Sequence, residues 1–167
     1  TDVFDPCITV RAIALASESG CELTPELVSE LVTYSPKVFD ADRNFVRHWM
    51  TRCLVTQNPS EALEQLRRAK VLDYLLPEVV NLIDFHRSSR YHHKDVWAHT
   101  LQVVKQAVPR PVIRWSALLH DIAKPRTKKF IKPHGWTFRG HEFLGGKMVP
   151  KIFKRLQLPT DARMKFV

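Results

Sequence analysis

The run Arg114 to Pro125, RWSALLHDIAKP, constrains this chain more than any other stretch. From Val112 to Ala123 nearly every residue is apolar or small. That predicts a helix apolar almost all the way round, which belongs in a core. Yet His120 and Asp121 stand side by side in it. A carboxylate taken out of water is costly unless something pairs with it. A cation or a hydrogen-bonded imidazole would meet that need. Imidazole and carboxylate are also ligands of divalent metals. Taken alone, the pair fits better a buried His–Asp hydrogen bond that pins two helices.

The neighbouring segment DVWAHTLQVV adds a third polar group to the argument. On a helical wheel, Val96, Trp97, Leu101, Val103, Val104, Ala107 and Val108 make one broad apolar arc. His99 falls at the edge of that arc, where it faces a partner helix and keeps one ring edge near solvent. Pro109-Arg110-Pro111 predicts a turn between two antiparallel helices. Such a turn would bring His99 towards His120 and Asp121. Three ligands from two helices leave positions open for water or substrate, as a catalytic metal requires.

The order His99, then His120-Asp121, resembles the HD superfamily of metal-dependent phosphohydrolases. DVWAHTLQVV, RWSALLHDIAKP, GWTFRGHE and GGKMVPKIFKRLQLP together are similar to the HD portion of bacterial tRNA nucleotidyltransferases, the CCA-adding and poly(A) polymerase type. The resemblance implies a divalent metal (Mg, Mn, Ni or similar) on His99, His120 and Asp121. It implies catalytic roles for Asp121, Lys124 and His141. Lys124 matches the family's HD-x-[AG]-K and is the expected phosphate contact. His141, in Gly140-His141-Glu142, stands where relatives place a histidine near the metal or phosphate. The implied chemistry is hydrolysis of a phosphomonoester or a 2′,3′-cyclic phosphodiester. The family's fourth metal ligand, a later Asp, has no counterpart before Val167, and Asp161 reads as a helix cap. The paired-carboxylate nucleotidyltransferase head is not in this sequence, so CCA addition is not expected from this chain alone.

The resemblance also divides the chain. Residues 1–80 are similar to the family's RNA-binding neck and body, and residues 81–167 to a C-terminally incomplete HD domain. The segment around Asp5-Pro6 and Arg11-Ala12 is similar to the DP-x-R-I-L-R-A signature, with Ile8 in place of its first Arg. Arg11 is therefore an expected RNA contact. Arg43, Arg47 and Arg52 join it, because they interleave with Phe45 and Trp49 in a predicted helix over residues 41–56. Basic groups among aromatics suit a phosphate backbone. The alternative is an amphipathic helix whose Phe and Trp are core. The formal charge of +9 favours a polyanionic partner, tRNA or other RNA, or a phosphorylated substrate. A non-catalytic RNA-binding module or a scaffold joining other domains is consistent with the same charge.

The remaining signals are structural. Gly20 predicts the C-cap of a first helix, and Thr24-Pro25-Glu26 the start of a second. Ser60-Glu61 predicts another start. Leu75-Leu76-Pro77-Glu78 resembles the corner that closes the family's RNA-binding part. FHRSSRYHH predicts a polar linker or hinge over residues 80–92, with His92 or His93 as a further candidate ligand. Residues 128–138 alternate around His134-Gly135, which predicts a small β-hairpin over the pocket mouth. Gly145 and Gly146 predict close packing of the helix after it, and Pro150 a kink. Cys7, Cys21 and Cys53 are odd in number and scattered, which predicts reduced cytoplasmic thiols. No apolar run is long enough to span a bilayer. The expected fold is all-α, a helical neck followed by a helical bundle with that hairpin.

Overall fold

The computed structural model describes residues 5–87 and 96–159. The side chains of Asp84, His86 and Arg87, and all of His92, His93, Thr160 and Asp161, lie outside the described residues. The ligand and capping roles expected of those histidines and of Asp161 fall there.

The first four helices are α1 (Ile8–Ser19), α2 (Pro25–Tyr34), α3 (Arg43–Val55) and α4 (Pro59–Arg68), with a 3₁₀ segment at Ser35–Asp40. Capping explains their limits. Gly20 takes the left-handed conformation (φ 68°), and its N–H returns to carbonyls of Ala16 and Ser17. The Thr24 hydroxyl accepts from the Leu27 N–H at 3.3 Å, with Pro25 at the first helical position. The Asp42 carboxylate accepts from the Asn44 N–H at 2.6 Å, so α3 begins at Arg43 rather than at residue 41. Asn58-Pro59 starts α4 just ahead of the expected Ser60.

Helices α5 (Val71–Leu75) and α6 (Pro77–Arg87) meet at the Leu76-Pro77 corner. The hinge expected over residues 80–92 is corrected for residues 80–87, because α6 runs on to Arg87, and residues 88–92 lie outside the described residues. Val79, Leu82 and Phe85 share a face and are buried, and that stripe holds the helix against the core. Helices α7 (Val96–Gln106) and α8 (Pro111–Leu119) then form the antiparallel pair expected from the Pro-Arg-Pro turn. The short α9 (Lys124–Thr127) leads into a two-stranded antiparallel hairpin, β1 (Lys129–Ile131) and β2 (Gly135–Thr137), with Phe130 opposite Trp136. Helix α10 (His141–Leu156) follows and carries Pro150 inside it.

Two further expectations are corrected. The helix predicted through Ala123 stops at Leu119, and residues 120–123 form tight turns. Ile122 and Lys124 each return their N–H three residues back, to Leu119 and Asp121. Pro125 explains the break. It has no N–H to give the Asp121 carbonyl, and its ring crowds that carbonyl. In α3, Phe45 is 62% exposed rather than core, while Val46, Met50, Cys53 and Leu54 make the buried face.

One apolar cluster runs from Cys7 to Leu158 and includes residues of every α-helix except the four-residue α9. Helix α3 packs on α1 on one side and on α8 on the other, and α4 packs on α7. Arg114 is buried beside this contact. It donates to the Leu54 carbonyl at 3.1 Å and to the Val108 carbonyl at 3.4 Å. Its charge thus lies at the C-terminal end of α3, where carbonyls lack helical partners. Burial lowers the pKa of Arg114. The arginine ties the end of α3 to the α7–α8 turn and so fixes α8, the helix that presents His120 and Asp121. Among the described residues no helix is long and apolar enough to cross a membrane.

Candidate metal centre

The break at the end of α8 places the site. His120 caps the end of α8 and Asp121 follows it in the turn, so both side chains leave the helix end together. Asp121 is 1% exposed. The other polar groups converge on it from three directions. His99 comes from the middle of α7, Lys124 from the start of α9, and His141 from the first position of α10. A Cβ at Gly145 would sit 3.9 Å from the Ala123 Cβ, an ordinary van der Waals contact, so α10 does not need a glycine there to approach. Gly146 has open space around it, so the close packing expected of Gly145 and Gly146 is corrected at both positions.

Asp121 Oδ2 lies 2.7 Å from Lys124 Nζ, 3.1 Å from His120 Nε2 and 3.9 Å from His99 Nε2. Asp121 Oδ1 faces His141 Nε2 at 3.5 Å. His99 and His120 rings meet edge to face, with centroids 5.4 Å apart. Backbone carbonyls orient two of the histidines. His120 Nδ1 donates to the Ala117 carbonyl at 2.8 Å, and His141 Nδ1 to the Phe138 carbonyl at 2.9 Å. A carbonyl only accepts, so each Nδ1 carries its proton and each Nε2 is left to face the carboxylate. This is the orientation that a neighbouring carbonyl gives a metal-ligating imidazole.

The electrostatics follow from the geometry. Burial alone would push the Asp121 carboxyl up. Hydrogen bonds from His120 and Lys124 outweigh it and hold the carboxyl down to about 2. Burial also opposes charge on His120, but the bonds to Asp121 and to the Ala117 carbonyl raise its pKa above the ordinary value. The site thus keeps a buried anion by surrounding it with donors.

A divalent ion fits the donor set. One atom each from His99, His120 and Asp121 lie within 4.8 Å of one another. Two ligands of one ion stand up to about 4 Å apart when the bonds are near 2.1 Å, so the three side chains would draw in by up to roughly 1 Å to hold it. The His99 side chain is 46% exposed, which leaves the cluster open on one side. The base of the hairpin borders the cluster. Lys124 Nζ lies 6.0 Å from the Phe138 ring, which packs against Phe85. Lys128 lies over both Phe85 and Trp136, at 4.7 and 4.5 Å.

The arginines expected to contact RNA are spread over α1 and α3, and each has a partner within the chain. Arg11 pairs with Asp5 at 2.9 Å. Arg43 donates to the carbonyls of Val38 and Phe39. Arg47 donates to the Gln157 carbonyl. Arg52 pairs with Glu18 and lies 4.4 Å over the Trp49 ring. Arg47 and Arg52 line one cleft of about 300 Å³ together with His48, Thr51 and Trp115. Arg11 lines a different one.

Sequence reasoning passed over three supports of the centre. The Ala117 and Phe138 carbonyls have no residue-type signal at all. Arg114 did have one, a lone cation inside an apolar run.

Comparison with known proteins gives a consistent result. The HD domain family matches residues 91–165. A multifunctional CCA protein of Azoarcus sp. (strain BH72) is 34% identical over 116 residues, covering 67% of this chain and 27% of the relative. Those of Neisseria gonorrhoeae (strain NCCP11945) and Actinobacillus pleuropneumoniae serotype 5b (strain L20) are 31% and 30% identical. They cover 94% and 95% of this chain, and 39% and 41% of the relatives. The chain therefore spans less than half the length of these relatives.

Proposed function

Since the chain belongs to the HD-domain family of tRNA nucleotidyltransferases, we propose that it is a metal-dependent phosphohydrolase region acting on phosphomonoesters or 2′,3′-cyclic phosphodiesters. The observation that carries this reading is the convergence of His99, His120, Lys124 and His141 on the buried carboxylate of Asp121. His99, His120 and Asp121 are the proposed metal ligands. A divalent ion held there would polarise the phosphoryl oxygen and supply an acidified water as nucleophile.

The chain's own groups do the rest. The Ala117 and Phe138 carbonyls keep the His120 and His141 rings turned towards the carboxylate. The Lys124 ammonium offsets charge that builds on the phosphoryl oxygens. His141, one-fifth exposed, would give the Nε2 proton of its doubly protonated ring to the leaving oxygen. In the wider proposal, residues 1–80 are the RNA-binding part and residues 81–167 the HD part, with tRNA or another RNA as partner. Arg47 and Arg52 would meet phosphates at their shared cleft by exchanging their internal partners.

The test is phosphate release from p-nitrophenyl phosphate and 2′,3′-cyclic AMP by the full chain, with Mg²⁺, Mn²⁺, Ni²⁺ or Co²⁺. Turnover should need the metal. It should fall at least about 100-fold in Asp121→Asn, because even partners behind the ligands are worth 10–100-fold. No turnover with any of the four ions would remove the phosphohydrolase assignment and leave a non-catalytic RNA-binding module as the better reading.

A further inference from the structure

The crowding on Asp121 Oδ2 has an asymmetry. This oxygen is the one that both candidate imidazole ligands approach, at 3.1 and 3.9 Å. Lys124 Nζ lies closer to it than either, at 2.7 Å. An ion bonded to that oxygen would therefore share it with a full positive charge a few ångströms away. Like charges so close, beside a buried carboxylate, repel strongly.

We propose that Lys124 and the metal compete for Asp121 Oδ2, so that the ammonium neutralises the carboxylate in the metal-free protein and leaves it when a divalent ion is held there. The inference rests on the metal-site reading above and adds a coupling to it. The metal-free protein avoids a bare buried anion, which would be destabilising. The loaded protein has a lysine freed for the substrate phosphate.

The local structure allows this exchange without moving the backbone. The Lys124 N–H is fixed on the Asp121 carbonyl at 2.9 Å, so the main chain at the start of α9 stays anchored. The side chain is about one-fifth exposed, and the Phe138 ring face lies 6.0 Å from the ammonium. A cation released from the carboxylate therefore has an aromatic face and solvent to move into. Apparent metal affinity is then reduced by the fraction of molecules in which the lysine holds the oxygen.

The test is calorimetric titration of Mn²⁺ into the metal-free full chain, for the wild type, Lys124→Met and Lys128→Met. Lys128 is the control for a lost positive charge, since it lies over Phe85 and Trp136. Lys124→Met should bind Mn²⁺ roughly tenfold more tightly, the gain expected if the lysine holds the oxygen in about nine molecules of ten. Lys128→Met should stay within about twofold of wild type on the same reasoning. A second readout needs no variant. Acetylation of wild-type Lys124 by a limiting amine reagent, mapped by mass spectrometry, should rise several-fold on saturation with Mn²⁺. Equal or weaker Mn²⁺ binding by Lys124→Met, or acetylation that stays level or falls, overturns the competition and leaves the metal site standing. Absence of Mn²⁺ binding in every form overturns both.

Discussion

Asp121 shows how a single residue can be stable where its type is unwelcome. Burial pushes its carboxyl up, and donors from α8 and α9 bring it down to about 2. The cysteines show the opposite outcome, because burial there outweighs the nearby arginines and, at Cys53, a backbone hydrogen bond. Desolvation pushes the Cys53 thiol up to about 12 and the Cys7 thiol up to about 11. Only the thiolate reacts, so a raised value means less reactive sulfur at a given pH. Exposed Cys21 should therefore take up a thiol reagent alone at pH 8. Cys7 and Cys53 should follow only near pH 11 or on unfolding. Quantitative alkylation with peptide mapping checks this, and prompt labelling of Cys53 in the folded chain would contradict it. The sign also bears on stability. A thiol kept neutral by folding stabilises the fold below its ordinary pKa near 9, and that contribution is lost as pH rises towards the folded value.

At the scale of elements, the ends of helices carry most of the information. Replacing Thr24 by Ala removes the acceptor for the Leu27 N–H and should cost about 1 kcal/mol. Gly20→Ala should also cost about 1 kcal/mol, since its φ of 68° disfavours a Cβ. Denaturant unfolding of the two variants checks both, and an unchanged midpoint would contradict the capping account. These ends were legible in the sequence because each rests on one residue with one physical property. The α7–α8 pair was legible for the same reason, and with it the meeting of His99, His120 and Asp121. The point where α8 stops was not, because an apolar run reads as helix until the effect of Pro125 four residues back is counted. Residues 80–87 read as a hinge because the polar run FHRSSRYHH, which begins at Phe85, masked the buried spacing of Val79, Leu82 and Phe85. The carbonyls that turn His120 and His141 depend on tertiary geometry, which no residue type announces.

At the scale of the whole molecule, the site depends on packing between parts distant in sequence. Arg114 on α8 caps the end of α3, and Trp97 on α7 donates to Glu64 on α4 at 2.5 Å. Arg155 near the end of α10 pairs with Glu78 on α6. The apolar cluster crosses residue 80 without a gap. Calorimetry should therefore show one unfolding transition, and two separated transitions would contradict a shared core. The proposed centre gathers α7, the end of α8, α9 and α10 around a single carboxylate, and its central claim is that this cluster holds an ion. Equilibrium dialysis of the full chain against Mn²⁺, with metal analysis of the protein, tests that claim most directly. About one ion per chain should be retained by the wild type, as one three-ligand cluster implies, and essentially none by His120→Ala or Asp121→Asn. A wild type that retains no ion, or an Asp121→Asn variant that retains as much as the wild type, would contradict it.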